Sequence, residues 1–147
     1  MPFIKHLTVS LCLAAAIAGH AQAADKGSPE QLMTALQAQL PDKQFNFIYV
    51  PSADSYFSNK MMVGMLKSGT VTSAAQDIIG ALSAGMKQLA VGSKNEQVAA
   101  ATLERALAQL KGKQLDATVA YIGGEEYRPA LLEAAAAAGV TMEFANP

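Results

Sequence analysis

The sequence predicts an α/β domain: a three-layer arrangement with a mostly parallel four-stranded sheet flanked by helices, behind a cleaved signal peptide. Three observations carry this. Segments with helical apolar spacing alternate with short runs rich in β-branched and aromatic residues. Those short runs place apolar residues on both faces, as strands buried on both sides do. Residues 1–23 hold the charged, apolar and small-residue parts of an export signal.

In that signal Lys5 supplies the positive end and residues 7–18 the uncharged apolar stretch. Gly19 and His20 break the stretch, and Ala21 and Ala23 place small residues where signal peptidase reads them. The apolar stretch is well short of the about 20 residues a membrane span needs. Cys12 lies inside it, but Leu11 stands where a lipoprotein signal wants a small residue. Cleavage is expected between Ala23 and Ala24, and the expected location is the periplasm or beyond.

After a short polar tether, Ser28-Pro29-Glu30-Gln31 reads as a helix start, with Ser28 as cap and Gln31 completing a capping box. Leu32, Met33, Leu36 and Leu40 recur at helical spacing until Pro41 stops the run. Residues 44–50 alternate as a strand, with Phe45, Phe47 and Tyr49 on one face. A turn at 51–54 leads to a helix capped by Asp54 or Ser55, with Phe57, Met61, Met62, Met65 and Leu66 as its apolar stripe. Thr70 or Thr72 opens the next helix, where Ala75, Ile78, Ile79 and Leu82 face inward and Gly85 closes.

Residues 87–91 form a short strand, and Asn95 caps a helix marked by Val98, Thr102, Leu103, Ala106, Leu107 and Leu110. Residues 114–122 form a third strand, 125–138 a last helix ended by Gly139, and 140–145 a last strand. Helices between strands imply parallel pairing and right-handed crossovers. A flavodoxin-like and a sequential strand order both satisfy the pattern. Residues 89–93 echo 120–124 at an offset of 31, each an apolar strand end followed by glycine and a small residue.

Composition narrows the chemistry. A chain of 147 residues makes one domain after the signal, 24–147, large enough for a core without disulfides. Cleavage removes Lys5 and none of the 12 acids, so the formal charge moves from −1 to −2. No basic tract is present, which argues against nucleic acid and against binding to anionic lipid by charge. No later stretch is long enough to span a membrane. The one cysteine and both histidines, Cys12, His6 and His20, leave with the signal. A Ser-His-Asp triad, a Cys-His pair, and zinc or haem sites built on these ligands are then excluded. No cofactor and no metal are expected.

In an open parallel sheet, ligands bind beyond the carboxyl ends of the strands. Ser52, Asp54 and Ser55 make up the first loop there, as a hydroxyl–carboxylate set for a polar ligand or as helix caps. Ser93, Lys94 and Asn95 make the second. A Ser-Lys dyad is one histidine-free nucleophile, but neighbours on a turn rarely converge, and Asn95 suits a cap. Gly123 and Gly124 make the third, where backbone amides could meet an anion, although Glu125 and Glu126 follow at once and repel one. Arg128 can hold a carboxylate or pair with Glu125 one turn away. Met61, Met62 and Met65 share one helical turn. They fill the core, bind Cu(I), or offer an adaptable face to a protein partner.

The expected function is a small exported, non-enzymatic protein that binds a protein partner or a small polar ligand at the carboxyl edge of the sheet. The alternatives are an envelope hydrolase or transferase using carboxylate and serine chemistry, and a periplasmic immunity or inhibitor protein.

Overall fold

Side-chain caps start four of the five α-helices among the described residues. The computed structural model describes residues 27–147; the signal peptide and the Ala23–Ala24 cleavage site lie outside the described residues. Helix α1 (Pro29–Gln39) is capped by Ser28, whose hydroxyl accepts from Gln31 N. The Gln31 side chain reaches back to Gly27 N, one residue ahead of the expected capping box. Ser55 caps α2 (Tyr56–Lys67), Thr72 caps α3 (Ser73–Ser83), and Asn95 caps α4 (Glu96–Gln109). Each satisfies an amide that the first helical turn leaves without a partner.

The last helix begins later than its spacing suggests. Residues Glu125–Tyr127 form a 3₁₀ turn, and α5 runs over Arg128–Ala138. Pro129 explains the break. It has no N–H to give to Glu125, so it is accommodated only in the first turn of a new helix.

The strands are β1 (Asn46–Tyr49), β2 (Gln88–Gly92), β3 (Ala117–Ile122) and β4 (Val140–Ala145). All three pairings are parallel and the order is β1-β2-β3-β4. The sequential order is therefore the one adopted. β3 starts three residues after the expected 114 because Gln114 and Asp116 hold positive φ angles of 52° and 50°. That backbone cannot join a ladder.

Register also corrects the internal echo. Ala90 lies beside Ala120 and Gly92 beside Ile122, an offset of 30. A one-residue difference in register turns a side chain to the opposite face. The 31-residue echo thus pairs residues that face opposite sides of the sheet.

Sequential parallel strands joined by crossovers of one hand carry all their helices on one face. The clusters agree. Leu89, Val91, Val119 and Tyr121 pack with the buried residues of α2, α3, α4 and α5. On the other face Leu32 and Leu36 of α1 cover Ala90, Ala120, Ile122 and Ala145. The small alanines let α1 sit close to the sheet. No helix among the described residues is long and apolar enough to cross a membrane.

Candidate functional site

Parallel strands bring the loops after β1, β2 and β3 to one edge, as the sequence anticipates. In the first loop, the Asn59 side chain pairs with the Ala53 backbone in both directions, at 2.8 and 3.0 Å. Ser55, not Asp54, is the cap, and its hydroxyl also bonds Ser58 Oγ at 2.8 Å. Ser52 is half-buried and Asp54 exposed. The organiser of this loop, Asn59, lies four residues beyond the cap on α2 and has no signature in sequence that separates it from an ordinary surface asparagine.

In the second loop Ser93 is buried, and its hydroxyl accepts from Asn95 N at 3.1 Å. Lys94 is exposed, so burial separates the two members of the considered Ser-Lys dyad. Asn95 Oδ1 accepts from Val98 N at 3.0 Å. The second and third loops are tied by Glu96. Its carboxylate accepts from Gly124 N at 2.9 Å, and its backbone carbonyl accepts from the Tyr121 hydroxyl at 3.0 Å. Gly124 N is thus already turned to a carboxylate of the chain itself. Gly123 lies against the Tyr121 ring.

Arg128 is stacked over Phe144, its guanidinium carbon 4.5 Å from the ring centroid, and its Nη2 is 3.9 Å from Glu125 Oε1. Both ends of that pair are solvent-exposed, so it contributes little to stability. The ring contact adds more. Among the described residues no cluster of three or more His, Cys, Asp or Glu side chains could hold a metal ion.

Beneath this edge lies an aromatic cluster. Tyr121 is fully buried and meets Tyr127 and Phe144 edge-on, with centroids 6.2 and 6.4 Å away. Burial pushes the Tyr121 phenol well above the usual tyrosine range, and the Glu96 carboxylate adds to the shift. Tyr127 is pushed up to about 12, first by burial and then by its hydrogen bond to Glu126. Both phenols are harder to ionise folded than unfolded. Their contribution to stability is complete below about pH 10, the unfolded value, and fades as pH rises through the folded value. The melting temperature should therefore fall between pH 10 and 12 in wild type. The Tyr121→Phe/Tyr127→Phe variant should fall less. Equal slopes in the two chains would remove these phenols as the cause.

The methionine-bearing helix resolves differently from a simple core stripe. Val63 and Leu66 are its buried residues, and Met62 is half-buried against them. Tyr56, Phe57, Met61 and Met65 are exposed by 78, 71, 54 and 48%. Successive residues turn about 100°, so Phe57, Met61 and Gly64 lie opposite Leu66, with Met65 beside them. Lys60 and Lys67 follow one flank, and Lys60 Nζ lies 5.4 Å from the Tyr56 ring centroid. The single apolar stripe expected from the sequence is divided: Met62 and Leu66 turn inward with Val63, and Phe57, Met61 and Met65 face outward.

Comparison with models of protein families, with curated proteins and with solved structures finds no match to this chain.

Proposed function

We propose that this is a small exported, non-enzymatic binding protein, and that the outward face of α2 is where it contacts a protein partner. The exposure of Phe57, Met61 and Met65 on one face of the helix carries this reading. At these exposures the three side chains offer roughly 350 Å² of surface, at the low end of the range of the largest patch on a typical monomer, which is often functional. Thioethers adapt to irregular partner surfaces, and aromatics anchor interfaces. The helix starts at Ser55, on the carboxyl-edge loop, so the surface adjoins that edge. A small polar ligand at the edge itself has less support, because Ser55, Ser93, Asn95 and Gly124 bond to groups of the chain.

A photo-reactive residue at Met61, introduced in the native host, tests this. Adducts are expected at Met61 and not at exposed Gln37 on α1, and the adducted chain should begin at Ala24. Equal labelling at both positions overturns the docking reading. A mass that retains residues 1–23 overturns export. Met61→Glu should abolish adducts formed from Phe57 while changing stability by less than about 0.5 kcal/mol, as exposed substitutions do.

A further inference from the structure

We infer that the hollow between the end of α2 and the outer sides of α4 and α5 binds a small monocarboxylate, held by Arg105 and Lys67. This site is separate from the outward face of α2 and does not depend on the role of that face in docking.

Two unpaired cations mark the place. A hollow of about 390 Å³ lies between Leu66 and Lys67 of α2, Glu104 and Arg105 of α4, and Ala130 of α5. Its size falls in the range of small-molecule pockets. Among the described residues, the side chains of Lys67 and Arg105 make no ion pair and no hydrogen bond. Arg105 Nε is buried without a hydrogen-bond partner. Buried polar groups are almost always satisfied, and an orphaned donor on a charged group is costly. Glu104 does not supply the acceptor, because adjacent residues on a helix point about 100° apart. Nor does the last turn of α2. Its Gly64, Met65 and Leu66 carbonyls accept from the amides of Ser68, Thr70 and Gly69. Gly69 has no side chain to cover the guanidinium; a Cβ there would stand 3.7 Å from Arg105 Nη1. With no bond inside the chain to hold it, the guanidinium is free to turn Nε and Nη toward a ligand.

The walls select that ligand. A guanidinium offers a planar pair of donors that matches a carboxylate, and Lys67 adds a second charge. Two bases stand against one acid, Glu104, so this hollow carries an excess of one positive charge. A single carboxylate balances it, and a doubly charged phosphate does not. The adjoining hollow, of about 220 Å³, shares Lys67, Glu104 and Ala130 and adds Glu126, Ala100 and Leu131. Its two acids repel a second anionic group, while its methyl groups accept a short apolar chain.

Titration of the purified chain with butanoate, succinate and inorganic phosphate, followed by amide chemical shifts, tests the site. Butanoate should saturate in the millimolar range, with the largest shifts at Ala101, Glu104, Arg105 and Ala130. Succinate and phosphate should bind more weakly, and Glu104→Gln should narrow that gap. Arg105→Gln should weaken butanoate binding about tenfold, and Lys67→Gln about threefold. Lys67 is exposed, so its variant keeps the fold and decides the matter even where Arg105→Gln does not fold. Butanoate shifts that are absent from this hollow, or a binding constant unchanged in Lys67→Gln, overturn the site. Phosphate or succinate bound as tightly as butanoate overturns the assignment to a monocarboxylate.

Discussion

Gly123→Ala should destabilise the fold by about 2–4 kcal/mol, although Gly123 stands on a loop that the sequence marks for ligand approach. A Cβ at this position would lie 2.2 Å from the Tyr121 hydroxyl oxygen and 2.4 Å from the ring carbon that bears it. Neither neighbour yields easily. The ring is fully buried between Tyr127 and Phe144, and its hydroxyl is held by the Glu96 carbonyl. The methyl group must displace the ring or shift the strand end, where Gly123 N donates to Ala145 O at 3.0 Å. Overpacking a closed core costs about 1–3 kcal/mol, and the lost hydroxyl bond adds about 1. Urea unfolding measures the effect. Tyr121→Leu withdraws the clashing atoms and leaves a cavity of its own, so the double variant should be more stable than the sum of the single costs predicts. An unchanged urea midpoint for Gly123→Ala would show that the ring moves freely. The consequence reaches function: lost binding in a Gly123 variant would report a damaged core before it reported a missing ligand contact.

Much of the architecture was legible because local rules acted without competition. Ser28, Ser55, Thr72 and Asn95 each stand before a helical apolar pattern, and each caps as its residue type dictates. The doubly apolar strands indicated a covered sheet, which α1 on one face and four helices on the other provide. Strand order was not legible, because each β-α unit looks the same in either topology. Nor was the orientation of α2. Phe57-Met61-Met65 and Met62-Leu66 are both helical stripes, and the choice between them is made by α4, a helix distant in sequence. The carboxyl-edge residues were placed together correctly by topology. What the sequence could not show was Glu96 spanning two of the loops through a backbone amide and a phenol, because neither partner advertises itself by residue type. The rotational choice of α2 matters most for function, since it determines whether the methionines are core or contact surface.

Gly139→Ala is the substitution expected to do most harm, at about 3 kcal/mol or more, through a joint no candidate site touches. Gly139 ends α5 at φ 72° and ψ 32°. An L-residue in that conformation costs about 1–2 kcal/mol. The neighbour makes it worse: an added Cβ would come 2.5 Å from the Gln114 Cα, which is backbone and cannot rotate away. The segment ahead of β3 is fastened here. Gly112, Leu115 and Asp116 donate their amides to the carbonyls of Ala137, Ala138 and Gly139, at 2.8, 3.1 and 3.1 Å. Those carbonyls end a helix and have no partner within it. Gln114 and Asp116 take positive φ angles as the segment makes these bonds. Pushing Gln114 away would break the three bonds together and disturb the start of β3, a central strand. The damage should appear as a lower melting temperature and as faster amide exchange at Leu115 and Asp116 than at Val98 in α4. If exchange at Leu115 and Asp116 matched wild type, the strain would be confined to Gly139 and the cost would shrink to that of its backbone angle alone.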